Sequence, residues 1–224
     1  SADDTIHSNA NITISDGEFT LASGDDGIHA DSATTISGGT IDITESYEGI
    51  EGLSIDITGG ETYVSGPTND GNSALDYNGT GTVTGGIFIA AGSSGMAENF
   101  GDSSTQGVMM VTVNSQAAGS AVSLSDSSGN ELVSWTPEKE YTSVIISCPE
   151  ITTGQEYTLT TGSDTTQITM DSIVYGSGSG MGGNPGNGGG PGNGGDMGQK
   201  PDDGNGTGKG SGDGGNMGTP PEKS

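Results

Sequence analysis

The chain has 224 residues, of which 28% are hydrophobic and 44 are glycine, a composition too lean for an ordinary large core but suited to a slender β-solenoid followed by a coreless segment. Thirty acids stand against four lysines (Lys139, Lys200, Lys209 and Lys223) and no arginine, for a formal net charge of −26. Nothing in such a chain displaces phosphate counterions or meets an anionic bilayer, so no nucleic acid partner is expected. No run of about 18 apolar residues is present, so no membrane insertion is expected either.

The first element is a loose repeat of about 22 residues. It reads Asp3-Asp4-Thr5-Ile6-His7, then Asp25-Asp26-Gly27-Ile28-His29, then Tyr47-Glu48-Gly49-Ile50-Glu51. Residues 3–24 and 25–46 align without gaps: Ile6 with Ile28, Ile14 with Ile36, Gly17 with Gly39, Phe19 with Ile41 and Leu21 with Ile43. A third coil, 47–67, continues the columns with Ile50, Ile57, Gly60 and Val64. A fourth, roughly 68–92, places Leu75, Val83, Gly85-Gly86 and Ile87/Ile89, and a degenerate fifth begins at Gly95. Apolar residues alternate within segments, as in Ile12-Thr13-Ile14, the period of half-buried strands, while Asp-Gly and Gly-Gly pairs fall where the chain turns. Self-similarity at this period predicts a right-handed parallel β-helix over residues 1–103. The coil begins at once after Ser1, which reads as a mature or trimmed piece.

From about residue 104 the repeat stops. Strand-like runs at Val108–Val113, Ala121–Leu124, Leu132–Trp135, Ser143–Ile146, Tyr157–Thr160 and Ile168–Met170 predict a small antiparallel β module over 104–175, packed on the end of the helix where it covers the last coil's open edge. Residues 176–224 contain 21 glycines in 49 positions and read as a flexible Gly/Asn/Pro-rich tail. Cys148 stands alone and reads as a small buried hydrophobe.

The chemistry lies in the repeated acids. If Ile28 and Ala30 face inward, His29 faces out, and Asp26 leans toward the interior or a corner, as do Asp4 and Glu48. An unpaired buried carboxylate costs several kcal/mol, roughly, and stacked neighbours about 5 Å apart repel further. Either such acids are protonated, or turn amides satisfy them, or a metal ion sits among them. Ca²⁺ accepts six to eight mixed oxygen ligands, and adjacent corners offer them, with Asp3, Asp25 and Asp31 close by. Two histidines and one cysteine argue against zinc. His7, His29, Glu51 and Asp76 form an outer polar column, either a solvent-facing ladder or a strip for sugar hydroxyls, and Tyr47 is an aromatic beside it.

The strings Asp25-Asp-Gly-Ile-His-Ala-Asp31, Ser46-Tyr-Glu-Gly-Ile-Glu-Gly52 and Ser94-Gly-Met-Ala-Glu98, with the Gly/Met/Pro-rich tail, resemble the clostridial carbohydrate-binding parallel β-helix family, itself similar in fold to pectate lyases. The resemblance covers roughly residues 1–175. It implies a secreted or cell-surface protein with bound calcium that binds cellulose and acidic plant polysaccharides such as polygalacturonate. By motif, the calcium ligands would be Asp3, Asp4, Asp25, Asp26, Asp31 and Glu48. Pectate lyases abstract a sugar proton with Arg or Lys beside calcium, and the coils hold neither, so a non-catalytic binder is expected. The alternative is a structural or adhesive surface protein whose β-helix ends stack into oligomers or filaments.

Overall fold

The structure is a computed structural model and describes residues 1–176. The flexible tail expected over 176–224 lies, from residue 177 on, outside the described residues. Among those described every regular element is a strand.

The first coil is made of three short strands, β1 (Ile6–Ser8), β2 (Ile12–Ile14) and β3 (Glu18–Ala22). The second is one long bent strand, β4 (Ile28–Glu45), and the third another, β5 (Ile50–Ser65); β6 (Leu75–Val83) and β7 (Ile87–Gly92) make the fourth. All neighbouring coils pair in parallel, and the register slips where β4 turns a corner, between Ala30 and Ala33 and again between Ile36 and Thr40. The pairing stacks like on like: Ile6–Ile28–Ile50–Leu75, Ile14–Ile36–Ile57–Val83 and Leu21–Ile43–Val64–Ala90. These columns form the interior, and each isoleucine from Ile28 to Ile57 is fully buried, contributing roughly 1.5–3 kcal/mol relative to exposure.

One corner is built from glycine. Gly17, Gly39, Gly60 and Gly86 all carry positive φ, between +80° and +113°, a region closed to most L side chains. At Gly60 a Cβ would also meet Gly39 O at 2.6 Å.

The fourth coil departs from the sequence reading in one respect. Ile87 and Ile89 are expected in the interior column, but Ile87 pairs with Glu61 and Ile89 with Tyr63, on the outer face, while Phe88 and Ala90 point inside. The physical reason is burial on both faces. Phe88 belongs to the solenoid core and Ile89 to a second core outside it, so β7 is apolar throughout and its alternation is lost.

That second core is built by the rest of the chain. Strand β11 (Tyr141–Ser147) lies antiparallel along β7, from Ser143↔Gly92 to Ser147↔Phe88, and covers its outer edge. Strand β8 (Val108–Gln116) pairs with β11, and β14 (Val174–Tyr175) with β8, completing a ten-stranded sheet. Four more strands, β9 (Val122–Asp126), β10 (Glu131–Trp135), β12 (Glu156–Thr161) and β13 (Asp164–Thr169), form a separate antiparallel sheet in the order β10-β9-β12-β13. Trp135 stacks on Tyr63 of the solenoid with ring centroids 5.9 Å apart. Cys148 is fully buried in the second core, and burial pushes its thiol up to about 12.

Candidate functional site

The acidic corner lies just before β1, β4 and β5, where the chain passes through Asp3-Asp4-Thr5, Asp25-Asp26-Gly27 and Tyr47-Glu48-Gly49. Backbone bonds fix its stacking: Thr5 N–H donates to Asp26 O (3.1 Å), Gly27 N–H to Glu48 O (3.0 Å) and Gly49 N–H to Ser73 O (3.3 Å). The glycine after the acid is required by close approach, since a Cβ at Gly27 would lie 2.7 Å from Gly49 O.

The inner acids form a ladder. Asp4 Oδ1 accepts the amide of Asp26 (3.2 Å), and Asp26 Oδ1 accepts the amide of Glu48 (3.2 Å). Each carboxylate therefore caps the next coil with one oxygen and keeps the other for the outer column. In that column His7, His29, Glu51 and Asp76 are in register, as the repeat predicts. His7 sits between Asp4 Oδ2 (Nδ1, 2.7 Å) and Asn9 Oδ1 (Nε2, 2.8 Å). The contact to Asn9 and then that to Asp4 raise the imidazole above its ordinary value. His29 Nδ1 is 3.3 Å from Asp4 Oδ2 and 3.5 Å from both Asp26 Oδ2 and Glu51 Oε2, and its Nε2 is 3.7 Å from Asp31 Oδ1. The two rings meet edge to face with centroids 4.9 Å apart.

Position in the ladder sets the charge of each acid. Burial pushes Asp4 up, but the His7 hydrogen bond, the Asp26 amide and the two imidazoles outweigh it and hold the carboxyl below its ordinary value. Asp26 is 6% exposed. Burial, the Glu51 carboxyl beside it and the charges of Glu48, Glu51 and Asp25 push it well above the carboxylate range. Glu48 is pushed up to about 7 by burial and then by Asp76, Glu51 and Asp25. Asp76 is raised by burial and by Glu51. The deep end of the corner thus favours the neutral forms of Asp26, Glu48 and Asp76.

The predicted ligands divide into groups. Asp3, Asp4 and Asp25 bring one carboxylate oxygen each within 4.8 Å of one another; Asp26 does so with His29 and Glu51, and Asp4 with His7 and His29. Glu48 and Asp31 join none of these three groups. Tyr47 continues the column of Asp3 and Asp25, its amide bonded to Asp25 O (2.7 Å), with its ring exposed to solvent. Two partners escape the sequence reading. Asn9 holds His7, and Glu98 Oε2 accepts the Tyr77 amide (3.1 Å) while its own amide donates to Ser73 Oγ (3.3 Å), which closes the corner beyond Asp76. Glu98 is legible in Gly95-Met-Ala-Glu98 as a degenerate coil start; Asn9 carries no signal.

No protein-family model, curated protein or solved structure matches this chain. Calcium, implied by the family resemblance, fits the donor chemistry of the outer group, because Asp3, Asp4 and Asp25 offer oxygen alone.

Proposed function

We propose that this chain is a non-catalytic, calcium-stabilised polysaccharide-binding protein, secreted or held at the cell surface, that takes cellulose and, through calcium, acidic pectin-type glycans. The observation that supports this best is the convergence of Asp3, Asp4 and Asp25 carboxylates at the rim of the corner. Those three residues would hold the ion, which supplies positive charge that neighbouring coils lack. Among the described residues Lys139 is the only lysine or arginine, and its ammonium donates to Ser46 O (2.8 Å). A uronate chain therefore meets no free basic side chain there, and the corner repels it unless a divalent ion bridges the two. A binding role is also favoured over lyase chemistry by His7, both of whose ring nitrogens are already engaged by Asp4 and Asn9.

The test is retention of the full chain on insoluble polygalacturonate and on cellulose, with calcium and with a chelator. Retention on polygalacturonate should vanish with chelator, while any cellulose binding is less affected. Equal retention in both buffers removes calcium bridging, and no retention on either polymer with calcium present removes the glycan reading. The second reading, a self-stacking surface protein, is favoured by the one-sided pairing of β1, β2 and β3, which bond only to β4 among the described residues. An unpaired edge of this kind accepts further strands; monomers alone in calcium, by light scattering and electron microscopy, would remove it.

A further inference from the structure

We infer that uncharged glucan has a site of its own away from the acidic corner: a cleft between the end of β4 and the segment after β10, where Lys139, Glu45 and Glu138 take sugar hydroxyls beside the Tyr63–Trp135 pair. The inference rests on the glycan reading for the class of polymer and on none of the calcium ligands.

The cleft is held open by the fold. It measures about 500 Å³ and is lined by Thr44, Glu45, Glu138 and Lys139, within the range of about 300–1,000 Å³ usual for small-ligand sites. Two bonds tie its upper wall to the solenoid: Glu138 N–H donates to Ser65 Oγ (2.9 Å) and the Lys139 ammonium to Ser46 O (2.8 Å). Asp42 borders the cleft, since the charge of Glu138 adds to burial in raising its carboxyl. Asp42 is also in register with Tyr63, on which Trp135 stacks. Both rings are only half-buried, so each keeps part of its surface in solvent.

Lys139 is the second, separate observation. An ammonium carries three N–H donors, and the Ser46 carbonyl takes one of them. The ion pairs of the described residues all belong to the two histidines, so Lys139 has donors to spare. Burial holds it below its ordinary value by more than the nearby Glu45 charge offsets. A half-desolvated donor therefore stands with two exposed carboxylate acceptors, Glu45 and Glu138, in one concave place. A sugar hydroxyl donates once and accepts twice, so it matches such a mixed set, and bonds to charged groups are the stronger ones. The aromatic pair offers flat apolar surface to the C–H face of a sugar ring. Charge then selects among sugars. Asp42, Glu45 and Glu138 outnumber the one ammonium, so a uronate is repelled where a neutral glucan is not.

The experiment uses the full chain in chelator, so that no calcium bridge contributes. Cellohexaose and trigalacturonate are titrated by calorimetry and by the emission of Trp135, the only tryptophan in the chain. Cellohexaose should bind and change the emission saturably, and trigalacturonate should do neither. Lys139→Met should weaken cellohexaose by about tenfold or more, and Glu138→Gln by about threefold or more. Glu156→Gln, an exposed acid on β12, should leave it within about twofold. Wild-type emission that stays unchanged at a cellohexaose concentration saturating by calorimetry overturns the inference, even if a variant misfolds. So do unaltered affinity in both cleft variants, equal binding of the two oligosaccharides, and no cellohexaose binding at all. In each of these cases retention on cellulose leaves the glycan reading standing, whereas loss of retention on both polymers removes that reading as well.

Discussion

Substituting alanine for Gly60 isolates what the stacked glycine corner contributes. Two effects add at this position. Its φ of +80° costs an L residue about 1–2 kcal/mol. The new methyl would also sit 2.6 Å from Gly39 O, 2.8 Å from Gly38 C and 2.9 Å from Gly38 Cα, all backbone atoms of the preceding coil. Ordinary contact begins at 3.4 Å, so the coils must part by about 0.8 Å, and overpacking of this kind typically costs about 1–3 kcal/mol. Gly60→Ala should therefore destabilise by about 2–5 kcal/mol. Gly154→Ala supplies the control, because Gly154 has a φ of +84° and a methyl added there would meet no heavy atom within 4 Å; it should cost about 1–2 kcal/mol. Both variants share the same loss of unfolded-chain freedom, so that term cancels. Urea unfolding followed by circular dichroism and by Trp135 fluorescence reads both, as shifts in midpoint at constant slope. If the two variants were equally destabilised, within about 0.5 kcal/mol, coil-to-coil contact would not be what requires glycine at this corner.

Two further outcomes follow from buried polar groups. Thr34 and Thr62 are fully buried in apolar columns, and neither hydroxyl has a hydrogen-bond partner; Thr62→Val should stabilise the fold by about 1 kcal/mol or slightly more in urea unfolding, and a clear loss of stability would reveal a partner for the hydroxyl. The raised carboxyls of Asp26 and Glu48 make the metal-free fold pH-dependent. Their neutral forms are favoured in the folded state, so the stability they confer is complete below the unfolded carboxylate value of about 4 and is lost as pH rises through about 7. Asp4 and Asp126, held low in the fold, act in the opposite sense, but only below about pH 4. Melting in chelator should therefore fall steadily from pH 5 to pH 8, and a flat or rising profile would contradict the assigned burial of these acids.

Local pattern was enough to determine the solenoid. The 22-residue spacing, the alternation of Ile12-Thr13-Ile14 and the recurring glycine corners are consequences of one coil repeating its own geometry, so the register Ile6–Ile28–Ile50 and His7–His29–Glu51 could be read directly. Parity likewise placed Asp26 inside and His29 outside, as the burial of Asp26 and the half-exposure of His29 agree. Only the tertiary structure decided which face of β7 is the interior, because Ile87-Phe88-Ile89-Ala90 is apolar on both sides and its orientation depends on β11, which is distant in sequence. The same holds for the inner corner. Sequence can place acids and imidazole in adjacent columns, but whether Nδ1 of His29 comes to face carboxylates from three coils depends on side-chain direction and coil spacing, which no single repeat encodes.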